Sequence, residues 1–346
     1  MHEEPFLVNN SSVLASNVHF RCRIIKPRRS GPVALIIERR DEDLSTAVDE
    51  KEKIRSIAAG IRERVLAHTL ANNGGYMSQA CSAAELLACL YGGLLNIEEP
   101  DEPLVPLVFS GVPKVGPKTM ITGGVFHGAH APHLDRLISS PAHYALVIYA
   151  ALIETGRLEE AGLEKFNKDG GTVEMIGAEH SPGFETTTGS LAQAISQSGG
   201  IALARRLKGE TGMTWVFMSD GEFQEGQTWE AFSASSFWDL SNLRVIVDVN
   251  GGQCDGPMDQ VMTIEPLAQR LEAFGWAVRT VDGHDVDAIL EAGREASDRP
   301  LIILCYTDPT RGLPLLQERY PALHYLRFTG DAERAQYQEA YEGMIK

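Results

Sequence analysis

A pattern repeated along the second half of this 346-residue chain limits its fold more than any other feature. A short apolar run leads to a polar, glycine-rich exit and then to a helical stretch. Trp215-Val216-Phe217-Met218 ends at Ser219-Asp220-Gly221, and Leu243-Arg244-Val245-Ile246-Val247 ends at Asp248-Val249-Asn250-Gly251-Gly252. Further runs at Trp276 to Val281 and Leu301 to Tyr306 alternate with helical stretches over Gly226 to Trp238, Ile264 to Phe274 and Val286 to Ser297. Strands joined through helices predict an α/β fold, a mostly parallel sheet wrapped by helices. In such sheets ligands bind beyond the carboxyl ends of the strands.

Upstream, Ile54, Ile57, Ala58, Ile61 and Val65 recur at helical spacing from Lys53 onward. A break at Asn72-Asn73-Gly74-Gly75 follows. Ser82 with Glu85 three residues later reads as a capping box opening a helix over Ala83 to Leu95. The Gly-, Pro- and His-rich stretch Gly111 to His133 reads as a long surface loop, and Tyr144 to Ile153 as a buried helix. Its histidines His127, His130 and His133 offer either a metal site or, more plainly, a surface loop. The first fifty residues differ. Val18 to Lys26 and Val33 to Ile37 flank a Pro/Gly turn and predict a small N-terminal β-hairpin extension, followed by an acidic linker over Glu38 to Glu52. The expected division is therefore 1–50 and 51–346. Arg21, Arg23, Lys26, Arg28 and Arg29 suit either an acidic partner or a solvated edge strand.

Composition removes several classes of function. With 31 Lys+Arg against 47 Asp+Glu the net charge is −16, which argues against nucleic acid or an anionic membrane as the main partner. No apolar run reaches the ~20 residues that span a bilayer, and Met1-His2-Glu3-Glu4-Pro5 does not open a signal peptide. Five scattered cysteines without a C-x-x-C pair read as reduced thiols. A cytoplasmic enzyme or binding subunit is expected.

Asp220 and Asn250 follow two successive predicted strands. A carboxylate, an amide oxygen and a nearby backbone carbonyl are hard oxygen donors that suit Mg2+ and leave positions for diphosphate oxygens. Gly221, Gly251 and Gly252 permit tight turns beside them. The alternative is that Asp220 caps a helix and Asn250 fills a turn.

The longer run Ser219-Asp220-Gly221-Glu222-Phe223-Gln224-Glu225-Gly226-Gln227-Thr228-Trp229-Glu230-Ala231, with Asn250 and Gln253-Cys254-Asp255-Gly256 downstream, resembles the thiamine-diphosphate signature of the transketolase family. Similarity continues in Thr187 to Ser196, in Asp135 to His143 and in Asp282-Gly283-His284-Asp285, and covers roughly residues 53 to 330. The resemblance implies the diphosphate-binding domain of the thiamine-diphosphate fold. It implies Mg2+ held by the side chains of Asp220 and Asn250 and the carbonyl of Gly252, and a cofactor bordered by Ser219, Gly221, Glu222, Gly189, Leu191, Gln193, Asn250, His143 and His324. It further implies His143, His180 and Tyr76 as residues of the reaction, and Glu225 and Glu230 at a subunit interface. The start of the helix after Gly221 is expected to favour the diphosphate anion.

Departures shape the functional expectation. Tyr76 stands where sugar-using members carry a histidine, and Ser140-Pro141-Ala142-His143 keeps the family histidine but loses a lysine. Ala192 and Ala194 flank Gln193 where glycines are usual, and Arg311 remains as a candidate phosphate contact. The family's pyrimidine-binding domain, about 150 to 200 further residues, has no counterpart before Lys346. The resemblance therefore implies one subunit of a split enzyme, inert alone. Its partner would carry the pyrimidine-binding and C-terminal domains in a two-plus-two heterotetramer, and its donor would be a ketose or 2-oxo acid. A decarboxylating subunit of the 2-oxo acid dehydrogenase type and a non-catalytic scaffolding subunit are the alternatives.

Overall fold

The computed structural model describes residues 21–25, 34–38, 41–109 and 122–345. Contacts divide the chain into Met1–Glu52 and Lys53–Lys346. In the first unit β1 (Arg21–Ile25) pairs antiparallel with β2 (Ala34–Glu38), Arg21 opposite Glu38 and Ile25 opposite Ala34. The expected hairpin strands are present there. Lys26, Arg28 and Arg29 lie outside the described residues. The expected acidic linker is replaced by helix: α1 spans Asp41–Asn72. No glycine or proline interrupts the sequence between Asp41 and Gly60, and acidic residues favour a helix amino terminus.

The second unit is built on a five-stranded parallel sheet in the order β3-β4-β5-β9-β8. Its strands are β3 (Arg136–Ser139), β4 (Thr214–Ser219), β5 (Leu243–Val249), β8 (Ala277–Asp282) and β9 (Leu301–Tyr306). A two-stranded ribbon, β6 (Gly252–Gln253) with β7 (Gly256–Pro257), follows β5. The helices are α2 (Met77–Cys89), α3 (Ala145–Glu154), α4 (Gln193–Leu207), α5 (Gly226–Phe237), α6 (Met258–Val261), α7 (Leu267–Ala273), α8 (Val286–Arg294) and α9 (Asp331–Met344).

Both faces of the sheet are buried, so its central strands carry continuous apolar runs. Period-two alternation sorts them. Trp215, Phe217, Ile246, Ile303 and Cys305 join the core with α2, α3 and α8. Val216, Met218, Val245, Val247, Ile302 and Leu304 join a second core with α4, α5 and α7. Asp248 shares the parity of Ile246 and so points towards α2 and α3.

Two expectations about local structure are corrected. Helix α2 does not open at Ser82; it begins at Met77, and Ser82 and Glu85 are buried inside it. A Ser cap is worth about 1 kcal/mol, whereas starting earlier fully buries Met77, Ala80 and Cys81, and one such Met alone contributes roughly 1.5–3 kcal/mol. Glu85 pairs with Arg62 instead, at 2.8 Å. The preceding break is real: a Cβ on Gly75 would lie 2.1 Å from Thr69 Oγ1. The histidine-rich segment is not wholly a surface loop. Residues 110–121 lie outside the described ones, but Phe126 and His127 are buried, with His127 between Tyr91 (2.9 Å) and Glu185 (3.0 Å). Among the described residues no three His, Cys, Asp or Glu side chains converge as a metal-binding group. The short strand β3 and helix α9 carry no expectation from the sequence reading.

Among the described residues no helix is long and apolar enough to cross a membrane, and Cys81, Cys254 and Cys305 are free thiols.

Candidate active site

The register of β4 against β5 pairs Ser219 with Asp248, so the two strands end side by side. Asp220 follows one end and Asn250 the other, and both line a cavity of about 410 Å³. Gly189, Leu191, Ser219, Gly221, Glu225, Gly252, His143 and His324 line the same cavity.

The oxygen donors are set by a buried network. Asp248 is fully buried and accepts from Ser82 Oγ (2.6 Å), Tyr144 OH (2.8 Å), Thr307 Oγ1 (2.5 Å) and Asn250 Nδ2 (3.1 Å). Asn250 Nδ2 also donates to Tyr144 OH at 3.1 Å. With its amino end held inside, the amide presents Oδ1 on the other side, where it accepts from Gly252 N at 2.9 Å. Asp220 is 2% exposed and accepts from Gly251 N at 2.7 Å. Burial, with the neighbouring Asp248 carboxylate, pushes the Asp220 pKa up to about 8. A carboxyl under that penalty is relieved by a cation. The donor set, carboxylate, amide oxygen and backbone carbonyl, is the hard-oxygen kind that Mg2+ takes. A Cβ built on Gly221 meets nothing within 4 Å, which leaves backbone accessible beside the donors. These residues fit a Mg2+–diphosphate group.

One expectation changes here. A five-residue 3-10 turn, Asp220–Gln224, follows β4, and α5 begins only at Gly226. The start of α5 is therefore not directly at Gly221.

His143 and His324 line this cavity, and Tyr76, which does not line it, packs its ring near both. The His143 ring lies 5.8 Å from that of Tyr76 and 5.3 Å from that of His324, and Tyr76 is 5.7 Å from His324. Helix α2 positions this cluster: Ser78 Oγ donates to Leu323 O (2.7 Å) and Gln79 Nε2 to His324 O (3.0 Å). Burial, and then His324, depress the His143 pKa to about 4, so its ring is neutral at pH 7. Leu191 is an exposed leucine, 36% accessible, facing this cavity.

Profile comparison decides the family: residues 127–324 match the family described as transketolase, thiamine diphosphate binding domain. A transketolase family protein of Sinorhizobium fredii, y4mO, is 36% identical over 275 residues, 78% of this chain and 88% of that protein. The chain belongs to the transketolase family. Another relative, the 6-deoxy-6-sulfo-D-fructose transketolase subunit SqwG of a Clostridium species, is 29% identical over 75% of this chain and 86% of SqwG. Human transketolase is 28% identical over 78% of this chain, but the match spans only 39% of the human protein. A transketolase from Pichia stipitis superposes with a TM-score of 0.61 at 21% identity, over 85% of this chain and 44% of that one. The transketolase from Leishmania mexicana gives 0.60 at 20% identity, over 84% and 45%. The transketolase fold is thereby shown.

Other residues named from the transketolase resemblance lie apart from the cavity wall. Glu222 is fully buried and does not line the cavity; backbone and serine donors occupy both of its oxygens. Gln193 is exposed at the start of α4, outside the cavity lining. His180 lies 3.1 Å from Glu174, with its ring tilted 4.9 Å from that of Phe109, and does not line the cavity. Arg311 is exposed and does not line the cavity either. Glu230 is likewise outside the lining, whereas Glu225 lines the cavity, and both are exposed on this single chain. The sequence reading missed Asp248, Tyr144, Ser82 and Thr307 as a group. The available signal was a carboxylate inside the otherwise apolar run of β5.

Proposed function

We propose that this chain is the thiamine-diphosphate- and Mg2+-binding subunit of a two-component transketolase-like enzyme that transfers a two-carbon ketol or an acyl unit. The observation that carries the reading is the convergence of Asp220, Asn250, Leu191 and His143 on one cavity at two adjacent strand ends. In this reading Asp220, Asn250 and the Gly252 carbonyl hold Mg2+. Gly221, Gly189 and Ser219 border the diphosphate, and Leu191 supports the thiazolium face. When bound, thiamine diphosphate supplies the carbanion stabilisation that the chemistry needs. The protein supplies orientation and proton positions. His143, neutral at pH 7, can accept a proton on a ring nitrogen from a donor hydroxyl. His324 lines the cavity beside it with the Tyr76 ring packed near both, and a phenol is a poorer proton shuttle near neutral pH than an imidazole.

The partner belongs to the same proposal. This chain spans most of SqwG, whose name makes it a subunit, but only about two fifths of human transketolase. A second subunit with pyrimidine-binding and C-terminal domains, in a two-plus-two heterotetramer, would supply the remainder. Free thiols favour the cytoplasm as its compartment.

The test is reconstitution. The chain, a co-purified partner subunit, thiamine diphosphate and Mg2+ are expected to move a two-carbon or acyl unit from a ketose or 2-oxo acid to an aldehyde. No transfer from any such donor overturns the reading, and release of carbon dioxide without carbon–carbon bond formation would replace it with a dehydrogenase-type decarboxylase.

A further inference from the structure

We infer that Glu222 is a positioning residue that registers the three loops carrying His143, Leu191 and Asp220 against one another. Its carboxylate is 0% exposed, and each oxygen is committed. Oε1 accepts from Ser219 N at 2.9 Å and from Ser219 Oγ at 3.3 Å, the arrangement of an ordinary capping box. Oε2 goes beyond a cap: it accepts from Ala192 N at 3.0 Å and from Ser140 Oγ. Ser140 lies three residues before His143, Ala192 directly follows Leu191, and Ser219 directly precedes Asp220. Three segments distant in sequence therefore meet on one side chain.

Ala192 shows why the tie matters. It is fully buried and holds φ 70°, in the left-handed region that a Cβ disfavours. Such a conformation persists only where its surroundings over-determine it, and the bond from Ala192 N to Glu222 is a direct constraint. The turn it makes leaves Leu191 facing the cavity while Ala192 is buried and α4 starts at Gln193. An amide cannot substitute for the acid here, because both oxygens receive a backbone N–H. In either orientation a glutamine would set its own NH2 against one of them.

The test is hydrogen exchange on the full chain, which needs no cofactor, with thiamine diphosphate titration at saturating Mg2+ as a second arm that rests on the proposed function. In Glu222→Gln, exchange over residues 139–143 and 187–193 is expected to rise roughly tenfold or more, the scale of a lost charge-assisted bond, while 214–218 and 243–248 stay protected. Adding Ala192→Gly, which removes the left-handed penalty, is expected to slow 187–193 again but not 139–143. Cofactor affinity is expected to fall about tenfold in the single variant and to recover in part in the double variant. Wild-type exchange rates in both segments of Glu222→Gln would overturn the inference. If that variant does not melt cooperatively, Ser140→Ala takes its place: faster exchange over 139–143 supports the tie, and unchanged exchange there overturns it. Failure of the wild-type chain to bind the cofactor, with the loops still loosened, would sink the proposed function and leave this inference standing.

Discussion

The Asn250 amide donates to the Asp248 carboxylate at 3.1 Å, and this bond, together with one to Tyr144 OH, decides which end of the amide is left for the cavity. Partners behind a metal ligand typically govern affinity by 10–100-fold. Tyr144→Phe removes the hydroxyl that accepts from Asn250 and donates to Asp248, while keeping the ring that packs on Phe217 at 5.3 Å. The Mg2+ concentration needed for half-maximal thiamine diphosphate binding is expected to rise about tenfold, read by calorimetry, with little change in apo melting. An unchanged Mg2+ requirement would reduce Asp248 and Tyr144 to packing.

Asp220 gives a prediction with a definite sign. Its carboxyl ionises near pH 8 in the fold and at 3.8 ordinarily, with burial as the first cause and Asp248 as the second. Between those values the folded chain holds a proton that the unfolded chain has lost, so its contribution to stability is lost as pH rises from about 4 to about 8 and is level above. His143 and His68, both depressed to about 4 by burial, act oppositely. They are neutral in the fold where the unfolded chain binds protons, so their contribution is lost as pH falls from 6.5 to 4. Subtracting melting curves of Asp220→Asn from wild type isolates the first effect. The metal-free difference should favour the variant increasingly up to pH 8, and a flat difference would contradict the buried carboxyl.

Arg62 and Glu85 form a pair whose side chains are only 10% and 11% exposed. His284 Nδ1 lies 3.0 Å from the same carboxylate, and His284 Nε2 accepts from Asp308 N at 2.8 Å, which makes Nδ1 the protonated nitrogen. Glu85→Ala leaves Arg62 buried without its partner and is expected to cost about 3–5 kcal/mol in urea unfolding. Arg62→Met with Glu85→Leu should cost much less, since apolar replacement of a whole buried pair is often near neutral. Equal losses would mean the pair is worth more than its desolvation.

Glu225 lines the cavity yet is exposed on the lone chain. Glu225→Ala should leave melting of this chain within about 0.5 kcal/mol of wild type, as exposed substitutions do, but weaken assembly with the partner subunit in sedimentation. Unchanged assembly would return Glu225 to an ordinary surface charge.

The sheet was legible because β4, β5 and β9 are buried on both faces, and only continuous apolar runs satisfy that. The placement of Asp220 and Asn250 at neighbouring strand ends was legible because each closely follows an apolar run. The rest depended on tertiary context. Ser82 and Glu85 carry a local capping pattern, but their partners, Asp248 and Arg62, come from elsewhere in the chain. β3 is four residues long, too short to give periodicity. Glu222 reads as one more polar residue after a strand, and nothing local shows that Ser140 and Ala192 converge on it.

The most direct measurement is calorimetric titration of the full chain with thiamine diphosphate, with and without Mg2+, in wild type and Asp220→Ala. Saturable binding that needs Mg2+ in the wild type and disappears in the variant is the predicted result. Equal binding by both proteins, or wild-type binding indifferent to Mg2+, would contradict the assignment of Asp220 and Asn250 as the metal's holders.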